Sequence, residues 1–207
     1  MKKIKICGLS QPNNQKEILA LQPDFAGVIF AKTSPRYFSG DALPKASNVI
    51  WVAVFVNETM EEMIRICKKF KIQIIQLHGS ESVAVCSELK SKDYTVFKAF
   101  GIDTTTNWEE ISRYENHVDY FLFDTKGKFA GGNGVTFDWD ILQNYHGETP
   151  FWLSGGLGEE NIKDALRWHH PNCIGLDLNS KLEDSPGIKN VNITQRIIDK
   201  IRKYEAN

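Results

Sequence analysis

VIWVAVFV, residues 49–56, is an unbroken run of β-branched, aromatic and other apolar residues. It is far shorter than the roughly 20 residues a membrane helix needs. Strands with one face in water alternate apolar and polar residues, so a continuous run of this length reads as a parallel strand covered on both faces. Similar runs flank it: FAGVIF (25–30) before it and IQIIQLHG (72–79) after it. Further out stand KIKICG (3–8), TVFKAF (95–100), YFLFDT (120–125), PFWLSG (150–155) and CIGLDLN (173–179), which makes eight runs in all.

The clearest helical stretches between them are TMEEMIRICKKF (59–70), ESVAVCSELK (81–90), residues 107–116, and EENIKDALRW (159–168). Asn57 or Glu58 with Thr59, Ser80 before Glu81, and Gly158 before Glu159 supply the amino-terminal signals. A strand–helix period repeated eight times predicts an α/β fold, a single (βα)8 TIM barrel. A doubly wound open sheet is the alternative. It commonly carries a nucleotide loop after its first strand, and KICGLSQPNN contains no GxGxxG. At 207 residues the chain is short against the roughly 250 typical of the barrel, so short loops and one catalytic domain spanning 1–207 are expected.

With 25 basic and 26 acidic residues and a net charge of -1, the chain has no broad basic field for nucleic acid. Anionic ligands must be held by local groups. MKKIKICGLSQPNN starts basic but turns polar before an apolar region forms, unlike a secretory signal. Cys7, Cys67, Cys86 and Cys173 are dispersed without a CxxC pair, so reduced thiols in the cytoplasm are expected. No membrane partner is implied.

In such a barrel the active site lies at the carboxyl ends of the strands. Cys7, His78, Lys98, Asp124, Ser154 and Asp177 all fall at or near such ends. A thiol at Cys7 could act as a base if its pKa fell from about 8.5; the alternative is a small buried filler, the expected role of the other three cysteines. Asp124 follows YFLF, and large apolar neighbours would favour a protonated carboxyl group fit for a general acid. Its alternative is a turn cap leading into Thr125. Arg36, in SPRYF, can grip a planar carboxylate or form a surface salt bridge. LSGGLG (153–158) and LNSKLED (178–184) follow the last two runs, where barrels build phosphate cradles from backbone N–H groups. Gln76 and His78 share a strand face and are expected to line the barrel; no metal site is implied.

Taken together, KICGL (5–9), SPRYF (34–38), QLHG (76–79), FDT (123–125), GGNG with FDW (131–134, 137–139), LSGGL (153–157) and DLNSKLEDSPGIKN (177–190) resemble the phosphoribosylanthranilate isomerase family. The blocks run in the family's order along nearly the whole chain. The resemblance implies Cys7 as general base, Asp124 as general acid and Arg36 on the anthranilate carboxylate. It places the substrate phosphate at Gly156 and neighbouring amides, and at Asn179 and Ser180. It further implies an Amadori rearrangement in tryptophan biosynthesis with no metal or organic cofactor. Strands one and six lie three steps apart around the ring, so Cys7 and Asp124 should stand roughly 7 to 10 Å apart with substrate between them.

Two stretches depart from the family pattern. Asn179, Ser180 and Lys181 stand where the family has serine, serine and glycine, and Asn133 replaces the threonine of GGTG. A histidine-pathway isomerase on the same fold would call for an aspartate where Cys7 stands. A phosphate-binding barrel with a degenerate site is countered by the joint presence of Cys7, Arg36 and Asp124. For oligomeric state, a monomer is the simplest expectation.

Overall fold

The computed structural model describes residues 2–45, 47–125 and 138–206. The GGNG segment with Asn133, and Phe137 of FDW, lie outside the described residues. Eight strands close into one parallel barrel in chain order: β1 (Lys3–Ile6), β2 (Phe25–Ile29), β3 (Ile50–Phe55), β4 (Ile74–Leu77), β5 (Thr95–Ile102), β6 (Tyr120–Thr125), β7 (Phe151–Leu153) and β8 (Cys173–Leu178). Each run read from the sequence matches one of them, β5 continuing two residues past its run to Ile102. Pairing of β1 with β8 closes the ring and sets Lys5 opposite Asp177.

Among the described residues six α-helices surround it: α1 (Pro12–Ala20), α2 (Met60–Phe70), α3 (Val83–Ser91), α4 (Trp108–Ser112), α5 (Ile162–Arg167) and α6 (Val191–Glu205). A short hairpin, β9 (Glu183–Ser185) with antiparallel β10 (Ile188–Lys189), follows β8. Thr59 caps α2 through the Glu62 amide. Ser82, not Ser80, caps α3, because the Ser80 amide and hydroxyl are taken by Asn57 Oδ1. Residues 159–161 precede α5 as a turn, and Asn161 occupies its N-cap position without a side-chain capping bond.

Alternation along each strand sorts the side chains. Phe25, Val52, Ile74, Phe97, Leu122 and Trp152 pack inside the barrel, while Ile4, Ile6, Val28, Phe55, Leu77, Phe121, Phe123 and Leu153 belong to the larger core toward the helices. Two expectations change as a result. Lys98 does not reach the barrel mouth: it faces outward, where its ammonium donates to Gly79 O at 2.7 Å and pairs with Glu81 at 3.2 Å. The phenylalanines beside Asp124 point to the opposite face, so the apolar surroundings expected for its carboxyl group belong to the outer core instead.

Candidate active site

Strand ends and following loops converge on a cavity of about 530 Å³. Its lining includes Cys7 after β1, Arg36 after β2, Gln76 and His78 on and after β4, Asp124 on β6, Gly155 and Gly156 after β7, and Asp177, Asn179 and Ser180 from β8 onward. Cys7 packs with the inward cluster, its amide bonded to Leu178 O. Gly27 on the neighbouring strand leaves the thiol its space, since a Cβ there would sit 2.8 Å from Cys7 Sγ.

Asp124 Oδ1 accepts the Thr125 amide at 2.8 Å. Its other oxygen faces His78 Nε2 at 3.5 Å. Gln76 Nε2 lies 3.0 Å from His78 Nδ1, so the two side chains on this face of β4 pack together beside Asp124. Gly155, at φ 94°, crosses close behind; a Cβ there would meet Thr125 Oγ1 and Asp124 Oδ1.

Arg36 grips the Glu183 carboxylate from the hairpin, with Nη2 to Oε2 at 2.7 Å. Lys189 bonds Glu183 at 2.7 Å and Asn179 Oδ1 at 2.6 Å. Burial pushes Glu183 upward, but Arg36 and Lys189 together hold it below the usual carboxylate range. Burial also brings Lys189 down to about 8 against the pull of Glu183.

The turn after β7 has two left-handed glycines, Gly155 and Gly156 at φ 94° and 62°. Asn161 ties it down, donating to Gly156 O and accepting the Gly158 amide, each at 2.9 Å. Such a turn lets backbone approach an anion closely. Ser180 opens a short 3-10 helix on the facing side. Lys181 turns aside to an exposed ion pair with Glu160 at 2.9 Å.

Against known proteins, a family model described as N-(5'phosphoribosyl)anthranilate (PRA) isomerase matches residues 4–200. The chain belongs to this isomerase family. A curated N-(5'-phosphoribosyl)anthranilate isomerase of Parabacteroides distasonis is 40% identical, with 96% of this chain and 92% of that protein covered. The crystal structure of phosphoribosyl anthranilate isomerase from Thermotoga maritima superposes with a TM-score of 0.82 at 27% identity, covering 98% and 100% of the two chains. Another phosphoribosyl anthranilate isomerase structure, in complex with reduced 1-(o-carboxyphenylamino)-1-deoxyribulose 5-phosphate, aligns with a TM-score of 0.80 at 27% identity over 98% and 100%. The activity of the chain is isomerisation of phosphoribosylanthranilate, an aldose–ketose conversion in tryptophan biosynthesis.

Cys7, Asp124, Arg36, Gly156, Asn179 and Ser180, the six residues to which the resemblance gives roles, all line this one cavity. Reading the sequence did not assign Glu183 and Lys189, which enter from the hairpin, or the buried Lys5. Glu183 and Lys189 fall in the DLNSKLEDSPGIKN block and Lys5 in KICGL, but no role attached to them there.

Proposed function

We propose that the cavity binds phosphoribosylanthranilate between Cys7 and Asp124 and rearranges it by general acid–base catalysis. The Asp124 carboxyl group gives its proton to the furanose ring oxygen as the bond from that oxygen to C1′ breaks, and the nitrogen lone pair completes an iminium. The Cys7 thiolate takes the C2′ proton to leave an enolamine, which becomes the ketone as C1′ gains a proton and the 2′-hydroxyl gives one up. Arg36 holds the anthranilate carboxylate. The phosphate lies against Gly156 and its neighbouring amides and against Asn179 and Ser180. No metal or organic cofactor enters this scheme.

One observation carries the reading: Cys7 and Asp124 come from strands on different sides of the ring yet line the same cavity. Further support comes from the related isomerase bound to reduced 1-(o-carboxyphenylamino)-1-deoxyribulose 5-phosphate. Residues 1–207 act as a single catalytic domain, as a monomer, in the cytoplasm, without nucleic-acid or membrane partners.

The test adds purified protein to freshly made phosphoribosylanthranilate and follows loss of substrate fluorescence. Cys7→Ser and Asp124→Asn should each lower kcat by about 10²- to 10⁴-fold with the fold intact. Near-normal turnover in either variant would move that residue to a structural role.

A further inference from the structure

Beneath Cys7 lies a charge that the scheme above does not use. Lys5 on β1 precedes Cys7, the residue just past its end, by two positions, so both project to the barrel interior. Lys5 is wholly buried, and its ammonium pairs at 2.8 Å with Asp177, its register partner on β8. Ser154 Oγ stands 3.4 Å from the other Asp177 oxygen.

The charged groups that act on Cys7 are Lys5 from β1, Asp177 from β8 and Lys189 from β10. Burial pushes the thiol above its ordinary value, and Lys5 is the strongest influence in the opposite direction. Burial also works against the Lys5 charge, but Asp177 and Cys7 outweigh it and hold the ammonium above its ordinary range. Asp177 itself faces Asp124 from β6 and His78 from β4.

Stability does not account for this pair. Apolar side chains fill the neighbouring interior positions Phe25, Phe97 and Trp152, and replacing a buried ion pair by apolar residues of similar volume is often neutral or stabilising. A fixed cation two positions before a thiol at the cavity floor has a chemical use instead. We propose that Lys5 is a positioning residue for the isomerisation: anchored by Asp177, its ammonium is the counter-charge that lets Cys7 stand as a thiolate. The proposal rests on Cys7 being the base.

The test reads Cys7 ionisation apart from turnover, by mapping the pH dependence of iodoacetamide alkylation on the Cys7 peptide by mass spectrometry. Cys67 and Cys86, whose thiols burial pushes up to about 12 and about 11, lie on separate peptides and serve as internal references. Lys5→Met should move the alkylation midpoint up by about 1 to 3 pH units. Its kcat should fall with KM held within about twofold, and the acid limb of the kcat profile should move with the alkylation midpoint. Lys5→Arg should restore most of the loss. Asp177→Asn, nearly isosteric, should move the midpoint down, because the thiolate then becomes the counter-ion of Lys5; this arm stands even if Lys5→Met does not fold. An unmoved midpoint in Lys5→Met, or an unchanged or raised one in Asp177→Asn, overturns the proposal. Full turnover in Cys7→Ser alongside the stated midpoint shifts would instead remove Cys7 as the base and leave the Lys5 effect in place.

Discussion

Arg36 and Glu183 meet edge to edge: Nε donates to Oε1 at 2.9 Å and Oε2 at 3.1 Å, and Nη2 donates to Oε2 at 2.7 Å. The guanidinium is therefore anchored through one edge, and the edge carrying Nη1 is not committed to Glu183. A planar cation fixed in this way presents a pre-oriented fork to a second carboxylate. Glu183 is held in turn by Lys189 and by the Gly187 amide at 3.0 Å, so the hairpin sets the orientation of Arg36.

Replacing Glu183 with Gln keeps the shape and removes the charge that orients the guanidinium. KM for phosphoribosylanthranilate should rise by about 3- to 30-fold with little change in kcat, in line with the loss of one charge-assisted hydrogen bond. Arg36→Met should weaken substrate binding much more than binding of inorganic phosphate. Steady-state kinetics and phosphate inhibition read both. A lower KM in Glu183→Gln would mean that Glu183 competes with the substrate carboxylate instead of steering its partner.

Lys189 gives this network a pH dependence. Its ammonium is brought down to about 8, so raising pH through that value removes a proton from the group that bonds both Glu183 and Asn179. Below about 8 the cation is present and the network complete; above it, Asn179 and Glu183 lose their charged donor. The expected result is a KM that rises as pH passes from 7 to 9, with a midpoint near 8. Lys189→Met should show the high KM at every pH and no such midpoint. A KM profile identical in the two proteins would assign the titration to another group.

The barrel was legible because its signals are local. Each apolar run holds a strand, and the reactive residues at the strand ends can be aligned without knowing any long-range contact. Exceptions arise where tertiary structure decides. α1 buries the polar residues Asn14 and Gln15, because Asn14 bonds the Lys189 backbone across the fold and Gln15 donates to Leu9 O just before the helix. α6 was readable in principle, with Asn190 capping it through the Ile193 amide and Ile197, Ile198 and Ile201 on its buried face. Lys98 shows the limit of strand-end counting, since one position of register decides between the cavity and the outer core. Lys5 and Glu183 had no local signal, because what marks them is a partner more than 140 residues away in sequence.

Gly27 offers a steric test of the Cys7 position. Adding a methyl group there places carbon 2.8 Å from Sγ and 3.1 Å from Cys7 Cα, closer than van der Waals contact allows. The thiol must turn or β1 must shift. Because small misplacements of a reacting group are costly, Gly27→Ala should lower kcat by about 10- to 100-fold. Circular dichroism should be unchanged. Undiminished kcat would show that the thiol position is not critical.

The last prediction separates scaffold from site. Glu81 is buried on the outer side of the barrel, where its carboxylate accepts the Asn57 amide at 2.8 Å, the Gly79 amide at 3.0 Å and Lys98 Nζ at 3.2 Å. Lys98 has two further acceptors in Gly79 O and Ala99 O. Glu81→Ala strips a buried ammonium of its counter-charge and two amides of their acceptor, and should cost about 3 to 5 kcal/mol of stability in urea unfolding. Lys98→Met removes the cation while leaving the carboxylate its two amide donors, so its cost should be smaller. The double variant should lose less than the sum of the two single losses, because the second substitution removes a group the first has already left unpaired. Strict additivity would mean that the 3.2 Å contact contributes nothing, and that Glu81 acts through its two amide bonds only, beside the Asn57–Ser80 bonds that also join the loops after β3 and β4.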